Sequence, residues 1–182
     1  HDRSSVVEFM ELMSQSGIEF LLASEGFSAS GYDFPAGSYV IPPQAFRPYV
    51  VDLMEPKQYP DRRQYPGGPP EPPYDMTGYE LRFQMGLEVV NVIEPFEMPS
   101  GEWGVVSPLV GDVEGTGTAG YLVHNTSNWV YRGLKGYLAE GGELFRGTRS
   151  ISTTYGDVAA GAFWLRGLAD DAAQRLANDF GL

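Results

Sequence analysis

The chain has 182 residues, 42% of them hydrophobic, which is long enough to bury a core and too apolar for a disordered polymer. Its formal charge of −12 argues against nucleic acid and anionic membrane as partners, since both need clustered Lys and Arg. The absence of cysteine excludes thiol catalysis, disulfides and Cys-type zinc sites.

No apolar run reaches the ~20 residues that span a bilayer, and no signal peptide is recognisable. His1-Asp2-Arg3-Ser4-Ser5 leads straight into a helix over 6–15, with Val6, Phe9, Met10 and Met13 at helical spacing and Ser4 or Ser5 as its cap. An α/β unit that opens on its helix reads as cut from a longer protein. Its first strand would then lie upstream of His1, leaving a sheet edge or an apolar groove partly open beside Ile18–Ala23.

The helix stops at Ser16-Gly17, where glycine takes the left-handed C-cap. Ile18–Ala23, apolar except at Glu19, is suited to a buried strand. Ser28–Gly31 and Pro35–Gly37 carry turn chemistry, and Ser38–Ile41 reads as a second strand, so the unit is helix, strand, hairpin, strand. After Pro42-Pro43, the positions of Phe46, Tyr49, Val50 and Leu53 suggest a helix. Tyr59–Tyr74 holds six of the chain's 14 prolines and reads as a polyproline-like connector or surface arm, with a Pro-rich recognition ligand as the sharper alternative.

Thr77–Glu80 fits a capping box for a short helix ending at Gly86. Leu87–Ile93 is strand-like, and Trp103 with Val105-Val106 suggests another strand. Ala119–His124 reads as a buried strand, and Ser127 or Asn128 caps a helix through Leu138. A last helix, about Asp170–Phe180, turns Ala173, Leu176 and Phe180 inward and ends at Gly181.

The stretch Gly17–Pro42, GIEFLLASEGFSASGYDFPAGSYVIP, returns much altered at Gly141–Leu165 as GGELFRGTRSISTTYGDVAAGAFWL. Gly17 lies over Gly141, Glu19 over Glu143, Asp33 over Asp157 and Ala36-Gly37 over Ala160-Gly161, at one ungapped offset of 124 residues. The fold class expected is α/β: layered, a mixed sheet with helices, containing an internally duplicated helix–strand–hairpin–strand unit. The organisation expected is one compact domain over 1–182. Its first repeat covers about 5–58, its Pro-rich connector 59–76, and its second half, with the second repeat, 77–182.

Most chemical motifs fail on context. Gly115–Gly120 matches GxGxxG, but those glycines precede a strand, whereas the dinucleotide fingerprint must follow one and open a helix. Gly26–Gly31 is near GxSxG in letters, yet it lies between strands and has no histidine base beside it. His-x-x-Glu and His-Glu-x-x-His do not occur, so no catalytic, cofactor or metal residue is assigned. The remaining local site is the strand-to-helix edge at His124, Asn125, Ser127 and Asn128. There His124 could act as base or donor, and free helix amides could hold an anion. The plainer reading makes Ser127 and Asn128 caps and His124 a satisfied polar residue. Asn125-Thr126-Ser127 is also a glycosylation sequon, meaningful only in a secreted eukaryotic protein.

The phrases FPAGSYVIPPQAFRPYVVDLMEPKQYPD and PPYDMTGYELRFQMGLEVV resemble the region after the catalytic domain in large secreted bacterial zinc carboxypeptidase-like proteins of the carboxypeptidase A type. The resemblance covers about residues 5–95 and is looser over 119–182. It implies a non-catalytic accessory domain that supports, or presents peptide substrate to, a parent peptidase domain in cis, in a secreted or periplasmic protein. The zinc it implies belongs to that separate domain, because none of the family's zinc-binding or catalytic positions has a counterpart here. The alternative from the residues is a small-molecule-binding or hydrolytic α/β domain using the His124 edge.

Overall fold

The computed structural model describes residues 2–44, 47–54, 60–72, 78 and 80–182. Along these lie α1 (Arg3–Gln15), β1 (Leu21–Ala23), β2 (Phe27–Ala29), β3 (Tyr32–Phe34), β4 (Tyr39–Val40), α2 (Arg47–Met54), α3 (Leu81–Gln84) and β5 (Gly101–Trp103). They continue with β6 (Gly120–Val123), α4 (Asn128–Ala139), β7 (Glu143–Arg146), β8 (Ile151–Thr153), β9 (Gly156–Val158), β10 (Phe163–Arg166) and α5 (Asp170–Phe180). The fold is mixed α/β with small antiparallel sheets. The single mixed sheet expected from the alternation of elements does not form, because every paired strand among the described residues is antiparallel.

The chain divides into two compact units, residues 11–105 and residues 1–10 with 106–182. In the first, β1 is the central strand of the order β4-β1-β5. Leu21 lies opposite Val40 on one side and Trp103 on the other. The open edge expected beside Ile18–Ala23 is therefore absent: both sides of this strand are taken. Leu87–Ile93, expected to be strand-like, forms no strand. Ile18, Phe20, Leu21 and Ala23 are buried, and Phe20 meets Tyr39 edge-on at 5.8 Å.

Three expected boundaries move. Helix α1 opens at Arg3 under an Asp2 cap, so Ser4 and Ser5 lie inside the helix and are buried. Helix α3 starts at Leu81 with Glu80 at its N-cap and no side-chain cap bond; Thr77 and Tyr79 of the expected capping box lie outside the described residues. The strand near Trp103 ends there and leaves out Val105 and Val106. Phe46, at the start of the expected helix realised as α2, and Tyr59, Pro73 and Tyr74 of the Pro-rich run also lie outside the described residues. Within that run, Arg63 bridges to Pro70 in antiparallel fashion and its guanidinium reaches the Gly68 carbonyl at 2.5 Å, so this part is a closed loop rather than a polyproline rod.

In the other unit the sheet order is β6-β10-β7, with α4 and α5 over one face. Val130, Leu134, Phe163, Leu165, Leu168 and Ala173 form the core. Tyr121, Val123 and Leu144 pack against it, the alternate positions of strands whose other side chains face away. Those others, Leu122, Trp164 and Phe145, lie side by side across the three strands, with the Phe145 and Trp164 rings 5.3 Å apart. Strand β6 is an edge strand and only half-buried, not the buried strand expected.

The local geometry of the two units matches at the offset of the sequence repeat. Leu22 lies opposite Tyr39 and Arg146 opposite Phe163; Ser28 lies opposite Asp33 and Ser152 opposite Asp157. The bond from the Ala23 amide to the Ser38 carbonyl (2.9 Å) corresponds to that from Gly147 to Ala162 (2.8 Å). Gly37 and Gly161 occupy the same turn at φ 85° and 96°, a region closed to most side chains. The third strand differs between units: β5 adds beside β1, whereas β6 adds beside β10.

Candidate functional site

The strand-to-helix edge forms where β6 passes into α4. His124 and Asn125 are exposed. Ser127 is the N-cap, its Oγ accepting from the Trp129 amide at 3.2 Å. The amide of Asn128 is not free for a ligand, because it donates to Oδ2 of Asp2 at 2.9 Å. Asp2 also accepts from the Ser4 amide (2.9 Å) and hydroxyl (2.7 Å) and from the Ser5 hydroxyl (3.2 Å), while the Asn128 side chain donates to Ser5 Oγ at 3.4 Å. One carboxylate thus closes the N-termini of two helices, where the dipoles favour negative charge. Partial burial by itself would raise the Asp2 carboxyl. Hydrogen bonds from the Ser4 hydroxyl, the Asn128 amide, the Ser4 amide and the Ser5 hydroxyl outweigh that and hold it below its ordinary value.

One turn further on, Glu8 Oε1 accepts from Trp129 Nε1 at 2.7 Å and pairs with Arg132 at 2.9 Å. Of the four sequence candidates, Ser127 and Asn128 therefore act in capping and docking. The anion that the helix start attracts is the chain's own Asp2, which sequence reasoning missed at a separation of 126 residues.

The Gly-rich loop has a similar outcome. The amide of Gly117 donates to Asp170 Oδ1 and to the Tyr121 hydroxyl, both at 3.1 Å, and Tyr121 donates to the same carboxylate oxygen at 2.6 Å. The loop thus anchors the first turn of α5. The Tyr121 hydrogen bond, followed by that of Gly117, lowers the Asp170 carboxyl, and the same Asp170 bond raises the Tyr121 phenol. In the GxSxG-like stretch, Ser28 donates to its cross-strand neighbour Asp33 at 2.5 Å.

Arg146, at the end of β7, was not singled out by sequence reasoning. Its Nη2 and the Nδ2 of Asn125 lie 3.7 and 4.0 Å from where a Cβ on Gly161 would stand, so two donors lie close to a position that carries no side chain. Among the described residues no three His, Asp or Glu side chains gather to hold a metal, and no helix is long and apolar enough to cross a membrane. No protein-family model, curated protein or solved structure matches this chain.

Proposed function

We propose that this chain is a non-catalytic accessory domain of a secreted zinc carboxypeptidase-like protein, supporting or presenting peptide substrate to a separate peptidase domain in cis. We infer with it an internally duplicated helix–strand–hairpin–strand unit, supported by the matching registers of β1–β4 and β7–β10. The observation that carries the accessory reading is the resemblance of residues 34–61 and 72–90 to the post-catalytic region of those proteins. The closure of the α4 N-terminus by Asp2 adds to it, because the best candidate edge serves to dock α1 rather than to receive a substrate anion.

The test compares the parent peptidase with and without residues 1–182 on peptides of graded length. Loss of kcat/KM on long peptides, with short ones unaffected, is the expected result; equal values on all lengths would remove the reading. The 182-residue chain alone, after dialysis, should neither hold one zinc per chain nor release C-terminal residues in a chelator-sensitive way, and either result would overturn it.

A second reading, small-molecule binding at the His124 edge, draws support from the closeness of Arg146 and Asn125 to Gly161. Saturable binding of a small carboxylate, lost in Arg146→Gln, would favour it.

A further inference from the structure

The two sheets leave different edges covered, and the difference falls on the strand that bears Arg146. In residues 11–105, β1 is paired on both sides. Toward β4, the Ala23 amide donates to the Ser38 carbonyl. Toward β5, Phe20 accepts from the Gly104 amide and Ser24 donates to the Ser100 carbonyl, both at 2.9 Å. In the other unit β7 corresponds to β1, and the Gly147–Ala162 bond sets the same alternation. Phe145 therefore turns its backbone groups to β10, whereas Leu144, Arg146 and Thr148 turn theirs outward. Among the described residues no strand pairs with that outward side. Such an edge is a template for strand addition.

We propose that the outer edge of β7 receives an extended peptide segment, antiparallel, carrying an acidic residue followed by an aromatic one. The side chains of the edge select this chemistry. The residue of β5 opposite Leu22 is Glu102, and the position equivalent to Leu22 on β7 is Arg146. The residue opposite Leu21 is Trp103, and the equivalent of Leu21 is Phe145. A strand seated as β5 is seated places its acid opposite Arg146 and its aromatic opposite Phe145. Directly opposed charged and aromatic pairs are the stabilising units of antiparallel sheets.

The edge is ready for both pairings. Among the described residues Arg146 forms no ion pair, whereas Arg132, Arg166 and Arg175 in the same unit each form one. Phe145 is 46% exposed and would extend the row already formed with Trp164 and Leu122. The partner is a short unstructured peptide, which gains backbone hydrogen bonds from the edge and specificity from alternate side chains. The inference rests on the duplicated-unit reading and gives the peptide of the accessory reading a seat.

The experiment titrates the ¹⁵N-labelled 182-residue chain with the nonapeptide of sequence Met98–Val106. The expected result is saturable shift of the Leu144, Arg146 and Thr148 amides. Arg146→Glu should weaken binding about fivefold, and the same peptide carrying Glu102→Lys should restore it, as expected for one reversed cross-strand charge pair. Shifts confined to other residues, no saturation, or failure of the charge swap to restore binding would overturn the proposal. Concentration-dependent shifts at β7 without peptide would also overturn it, by assigning the seat to a second copy. Cross-strand contacts between β7 and β10 in the same spectra separate the two failures. If they are missing, the duplicated-unit reading fails; if they are present without peptide binding, only this inference fails.

Discussion

The backbone amide of Asn128 donates a 2.9 Å hydrogen bond to the carboxylate of Asp2, which also caps α1 through the Ser4 amide. Asp2→Ala should cost about 0.5–2 kcal/mol at neutral pH, the range for losing a helix cap. Because the folded-state group titrates below its ordinary value of 3.8, its stabilising effect is present above that value and is lost as pH falls through the folded one. Urea unfolding of wild type and Asp2→Ala at neutral pH and near pH 3 checks this. A stability gap that does not narrow in acid would refute the role.

Gly136 and Gly133 lie on α4 and should respond differently to alanine. Gly136 is exposed with no atom within 4 Å of an added Cβ, so Gly136→Ala should stabilise by about 0.5–1 kcal/mol through helix propensity. A Cβ at Gly133 would meet Phe180 at 3.1 Å and Leu182 at 3.3 Å. Gly133→Ala should therefore melt below Gly136→Ala, and the reverse order would mean that α4 does not pack on this end of the chain.

Gly37 and Gly161 should behave as a pair. Both lie at positive φ, and no atom stands within 3.4 Å of an added Cβ at either one. Alanine at each should cost roughly 1 kcal/mol, from backbone strain rather than collision. Thermal melting of the two variants provides the comparison. A penalty at one and none at the other would show that the equivalent turns are not held alike.

Tyr121→Phe removes the largest influence that lowers Asp170. The Asp170 carboxyl should then titrate closer to its ordinary value of 3.8, as followed by its carboxyl carbon shift in NMR. An unchanged titration would mean that Gly117 alone sets the group.

The reach of sequence reasoning is clearest at the site. Ser127 was legible as a cap, because a cap depends on residues two or three positions away. Arg146 was not, although a charge where the first repeat has Leu22 was visible in the aligned repeat. Asp2 could not be read either, since its partner at Asn128 is joined only by folding.

The same division runs through the fold. The sequence by itself determined the helices α1, α4 and α5 and the hairpin turns, all of which rest on apolar spacing, caps and glycines within a few residues. The tertiary structure decided which apolar runs became strands. Leu21–Ala23 is a strand between β4 and β5, whereas Leu87–Ile93, also rich in aliphatic residues, is not a strand. Among the described residues it also gives β7 one strand partner where β1 has two. A helix satisfies its own backbone, whereas a strand is completed only by a neighbour that its own sequence does not contain.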